Sequence, residues 1–268
     1  MANLPDLRVD ISKINRKAAG SISNVVGYQV KAIPILEGST EELGNARGEY
    51  RRKGKDEKIL LAQRYVDLDR ERVSEKDPFD ILHLASPILM EYFTTHRGDA
   101  PLDFDSLLEN YNEKTNHVIE DVLIHEYAHK VFHDSYLKPI VERGESREGG
   151  IDYILAAETF NESFARWLHA IVVGHEHRAD IASLYRISAR ELRENGVEPF
   201  YTDRKQIAES YGFLVSVTNK KRVKYVLDNM VDLAIDHFEA VYARRSEELI
   251  AAVDQEMKRL RQRFHIET

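Results

Sequence analysis

Residues 122–132 read Val122-Leu123-Ile124-His125-Glu126-Tyr127-Ala128-His129-Lys130-Val131-Phe132. Apolar residues recur here at helical spacing, and the pattern runs from about Asn116 to His133, which predicts one helix over that span. On such a helix residues four apart differ by about 40° in direction. His125 and His129 therefore project side by side, one turn apart, and can grip one cation. Neutral imidazoles suit zinc. Glu126 lies one step around, where its carboxylate reaches a water on the metal rather than the metal itself and can move that water's proton. The competing account is an ordinary buried helix on which two His and one Glu fall at this spacing by chance. The Val-Leu-Ile run before the motif and the small Ala128 between the ligand positions weigh against it.

The chain has no cysteine, so disulfides, thiolate catalysis and Cys-based metal sites are excluded and any metal must use His and carboxylate. A catalytic zinc needs a third protein ligand besides an open position for water. A third His six residues after His129 is absent, since that position is Ser135, and His133 drifts round the helix toward a flanking role. A second helix is predicted over Ala156–Val173, with Gly174 where a C-terminal cap belongs. It carries Asn161-Glu162-Ser163-Phe164-Ala165.

That segment resembles the Asn-Glu-Gly-Phe-Ala element bearing the glutamate ligand in the gluzincin clan of metallopeptidases, which includes thermolysin-like and aminopeptidase-N-like enzymes. The resemblance covers residues 122–167. It implies Zn(2+) held by His125, His129 and Glu162, with Glu126 as general base on zinc-bound water in endopeptidase-like hydrolysis of a peptide or protein substrate. It also implies a downstream Tyr or His as donor to the developing oxyanion, for which Tyr211 stands first and Tyr201 and His169 follow. A strand within Gly48–Tyr65 would then bind an extended peptide along its edge. The chain departs from the family in two ways. Arg166 stands where thermolysin-like members carry an Asp, so Glu158 competes with Glu162 as ligand, and the thirty-three residues from His129 to Glu162 exceed the usual separation. Two other readings use the same residues: a non-peptide metallohydrolase, and a zincin-like regulatory or structural zinc protein.

Working outward, the expected fold is α+β and zincin-like, a small N-terminal antiparallel sheet packed on the active-site helix and followed by a mainly helical part. Val25–Leu36 alternates like a strand, and the charged turn Lys53-Gly54-Lys55-Asp56 separates Gly48–Arg52 from Glu57–Tyr65. Helices are expected at Pro87–Thr95 and Asp103–Tyr111, and a polar, glycine-rich loop at Arg143–Gly150. From Asn219 to Phe264 there is no Gly or Pro, which predicts one long helix or two antiparallel ones. The expected division is residues 1–115, 116–218 and 219–268.

A net charge of −8 argues against a general nucleic-acid binder, because neutralising phosphates needs a cationic surplus. The basic run Lys258-Arg259-Leu260-Arg261-Gln262-Arg263 is read as a helix end complementing its dipole, and His175-Glu176-His177 as a solvated turn. With no long apolar run and no apolar core in the first residues, the expectation is a cytoplasmic protein without a membrane partner. Its oligomeric state is not legible.

Overall fold

The computed structural model describes residues 9–43, 46–63, 65–66, 111–147, 151–174 and 198–244. The fold is α+β, mostly helical with one small three-stranded sheet. The helices expected at Pro87–Thr95 and over 103–110, the His175-Glu176-His177 turn and the basic run at 258–263 lie outside the described residues. Two compact units divide the chain: Met1–Val131 with Ala165–Glu176, and Phe132–Phe164 with His177–Thr268.

In the first unit, helix α1 spans Ile11–Val26. The Asp10 side chain caps its start by accepting from the Lys13 N–H at 2.8 Å. Gly27, at φ 80°, closes its end by donating to the Ser23 carbonyl. Ile11, Ile14, Ala18, Ala19 and Ile22 form its buried face. Strand β1 is Ile35–Gly38, helix α2 Thr40–Leu43, strand β2 Gly48–Lys53 and strand β3 Asp56–Ala62. The strand order is β1-β3-β2. β2 and β3 form the expected antiparallel hairpin around Gly54, whose φ of 64° favours glycine. Ile59, Leu60 and Leu61 of the central strand are all buried.

Two expectations are corrected here. The sheet is mixed, not antiparallel, because β1 runs parallel to β3. The alternation over Val25–Leu36 is not a strand either: its first residues end α1, and only Ile35 and Leu36 enter β1. Between them Val30 and Ile33 are buried three residues apart, out of phase with a strand's two-residue period, and their backbone groups bond to side chains rather than to a ladder. The Val30 N–H donates to Ser23 Oγ at 2.9 Å, the Ile33 N–H to the Tyr127 hydroxyl at 3.0 Å, and Asn15 donates to the Ile33 carbonyl at 2.9 Å.

Helix α3, Tyr111–Phe132, carries the quoted stretch and is buried on most faces. Tyr127 is fully buried on it, and its hydroxyl donates to Asn15 Oδ1 at 2.6 Å while accepting from Ile33. Burial pushes its pKa up to about 12. Tyr127→Phe is expected to destabilise the protein by about 1–3 kcal/mol, because it strands the buried Ile33 N–H and the half-buried Asn15 amide oxygen. The wild-type phenol, neutral when folded, contributes stability that is whole below pH 10 and lost as pH rises toward about 12. Urea unfolding of both forms across that range checks this: the Phe variant should lose part of the alkaline slope.

In the second unit, a π-helical turn at His133–Leu137 leads into helix α4, Lys138–Glu145. The expected loop at Arg143–Gly150 therefore starts later, since Arg143, Gly144 and Glu145 are still helical. Gly144 is buried against Tyr153, whose ring carbons would lie 2.3 Å from any Cβ there. Helix α5 is Tyr153–Val173, shared between the units, and ends at Gly174 with φ 75° as the sequence predicts. Helix α6 is Glu198–Lys220 and α7 Val223–Asp228, and the chain is helical again over 230–244. The run from Asn219 is thus broken rather than continuous. The cationic Lys220, Lys221 and Arg222 sit where α6 presents its unpaired carbonyls, with Arg222 already extended. Phe132, Phe160 and Phe164 cluster at centroid distances of 5.3 and 6.1 Å from Phe132. Arg143 of α4 pairs with Asp232, and Arg147, two residues past the end of α4, pairs with Glu239. No helix among the described residues is long and apolar enough to cross a membrane.

Candidate metal centre

His125 and His129 emerge from α3 half-buried, their rings edge to face with centroids 4.8 Å apart and planes at 88°. Their Nε2 atoms converge to 3.2 Å. Two ligand atoms on one tetrahedral zinc are separated by roughly 3.3 Å, given bonds of about 2.0–2.1 Å. The pair therefore matches what one ion requires. Glu162 on α5 completes the group: one ligand atom from each of His125, His129 and Glu162 lies within 4.8 Å of the others. These residues could hold a metal ion, and two imidazoles with one carboxylate form a donor set suited to a first-row divalent cation.

The four-residue offset between Glu158 and Glu162 does not bring both into the group. Glu158 is exposed, whereas Glu162 is half-buried. The flanking Asn161, Ser163, Phe164 and Ala165 are buried, so Glu162 stands in the packed part of α5.

Glu126 is 6 % exposed and outside the ligand group. Its Oε2 accepts the Tyr50 main-chain N–H of β2 at 2.7 Å. Next to the centre, buried Lys130 pairs with Glu57 of β3, which also accepts from the Tyr50 hydroxyl at 3.3 Å. One turn before His125, Asp121 faces His169 of α5 with Oδ1 3.9 Å from Nε2, and the His169 ring lies 6.1 Å from that of His125. His133 meets Asn161 at 3.2 Å, flanking rather than joining the ligand group. The place of Asp121 could have been suspected from its spacing of four from His125, but its pairing with His169 depends on how α3 and α5 lie. No sequence signal points to the Tyr50 amide, because a main-chain donor is the same at every residue except proline.

Tyr211 is fully buried within α6. Its chain neighbours Gly212 and Phe213 line a separate cavity of about 430 Å³ with His237 and Arg244. There Phe213 stacks on the His237 ring at 4.5 Å, and His237 Nε2 lies 2.9 Å from Ser210 Oγ. Burial, with Arg244 adding to it, pushes the His237 pKa down to about 4 and keeps this imidazole neutral. Tyr201 falls in the first turn of α6.

No family model, no curated protein and no solved structure matches this chain.

Proposed function

We propose that the protein is a zinc-dependent peptidase of gluzincin type on a zincin-like fold, with His125, His129 and Glu162 as ligands and Glu126 as general base. The observation that carries this reading is the convergence of those two imidazoles and one carboxylate, with a buried carboxylate as the next residue after the first ligand. Zinc bound there supplies Lewis acidity toward a carbonyl oxygen and toward water. Glu126 takes a proton from the attacking water and returns it to the leaving amine. A site holding metal only for structure needs ligands but no such carboxylate beside them, which favours catalysis over a structural role. As donor to the oxyanion, the reading favours His169 over Tyr211, supported by the approach of the His169 ring to His125 and by Asp121 beside its Nε2. The substrate is a peptide or protein in the cytoplasm, with neither membrane nor nucleic acid as partner.

Elemental analysis of the purified wild type and of His129→Ala, together with hydrolysis of a mixed quenched-peptide library, tests the proposal. One zinc per chain, lost in His129→Ala together with turnover, is the expected result. Zinc without turnover on any peptide would move the reading to a non-peptide substrate or a structural site. Absence of zinc, with none taken up on titration, would sink it.

A further inference from the structure

We infer that strand β2 is the device that positions the Glu126 carboxylate, with the Tyr50 main-chain N–H as its anchor and Gly48 as the glycine that lets the strand approach. The inference rests on the reading of Glu126 as the proton carrier. Tyr50 pairs with Ile59 of β3, and Ile59 donates its own N–H away from β2, to the Pro34 carbonyl at 3.0 Å. In an antiparallel ladder the two residues of a pair either exchange both bonds or neither. The Tyr50 N–H therefore points away from β3, off the outer side of the described strands, where an edge strand normally offers its donors to water or to another chain. Here a helix side chain takes it, at the short distance of a charge-assisted bond.

Gly48, two residues before Tyr50, lies against the same face of α3. A Cβ there would stand 2.9 Å from Val122 Cγ1, 3.2 Å from Glu126 Cγ and 3.4 Å from Glu126 Oε1. Val122 and Glu126 are one helical turn apart, so β2 rests along one stripe of α3, and any side chain at 48 would lift it away. One carboxylate oxygen is anchored by the strand. A general base held this way pays little reorganisation during reaction.

Backbone amide hydrogen exchange on the full-length, zinc-loaded protein reads the anchor directly. The Tyr50 amide is expected to be protected in wild type and to exchange roughly 10–100-fold faster in Glu126→Ala, while amides bonded within the β2–β3 ladder keep their rates. Tyr50→Pro removes the donor without costing a ladder bond, since the N–H faces away from β3. It should retain zinc and KM and lower kcat roughly 10–100-fold. Tyr50→Phe, which loses the hydroxyl contact to Glu57 but keeps the main-chain N–H, should leave that amide protected. If Tyr50→Pro does not fold, Gly48→Ala replaces it, with the same split between kcat and KM expected. An unprotected Tyr50 amide in wild type, or one whose rate ignores Glu126→Ala, overturns the inference whatever the activity, and so does a zinc-loaded Tyr50→Pro with unchanged kcat. Absence of turnover in wild type would instead sink the peptidase reading, and the exchange rates would still decide this one.

Discussion

Glu126→Gln is expected to keep zinc and to lower peptide hydrolysis by roughly 10²–10⁴-fold. The amide has the shape of the carboxylate and can still accept the Tyr50 N–H through its oxygen, so β2 should stay seated on α3. It cannot accept a proton, and that is the capacity the proposed mechanism asks of residue 126. Because Glu126 lies outside the ligand group, the substitution removes no donor from the centre. Initial rates on a quenched peptide, beside zinc content and a melting curve, check all three parts. Full activity in a zinc-loaded variant would remove Glu126 from the chemistry. Loss of zinc together with activity would show that Glu126 serves the metal rather than the water.

The second large effect is the separation of two glutamates on one helix. Glu162→Ala should weaken zinc binding by more than about a hundredfold, since even residues that only support a ligand cost about 10–100-fold when removed. Glu158→Ala should leave the affinity unchanged, because that side chain is exposed and outside the ligand group. Competition with a chelator of known affinity measures both. A reversed outcome would give the ligand role to Glu158 and require α5 to rotate by about 40° about its axis, the angular step between residues four apart. Calorimetric melting adds an independent readout. Zinc should raise the midpoints of wild type and of the Glu158 variant alike, by mass action on the folded state, and should scarcely move that of the Glu162 variant.

The parts of the fold legible in the sequence were those with local causes. His125 and His129 share a face of α3 because a helix returns to nearly the same direction after four residues. The β2–β3 hairpin follows from a glycine turn between two strand-like runs, and α5 ends at Gly174 because a left-handed cap suits glycine. Where the reading from residues went astray, the cause was also specific. Asp10 and Gly27 cap α1, and the helix runs into the first residues of the Val25–Leu36 alternation. The buried residues of that segment are satisfied by Asn15, Ser23 and Tyr127, partners that periodicity does not disclose. Polar composition suggested a loop from Arg143, yet Arg143, Gly144 and Glu145 stay helical, and Arg143 and Arg147 are paired to carboxylates on a distant part of the chain.

By itself the sequence determined the residue types available to a metal, the two imidazoles four apart, the carboxylate beside them, and the exclusion of every thiolate chemistry. These are properties of composition and of a helix's own geometry. Only the tertiary structure decided which of two glutamates on α5 joins the imidazoles, that Asp121 faces His169, and that the Tyr50 amide holds Glu126. Each of these depends on the rotation of one element against another, which is set by packing summed over many side chains. In the case of Tyr50 the donor belongs to the main chain, which carries no sequence signature at all.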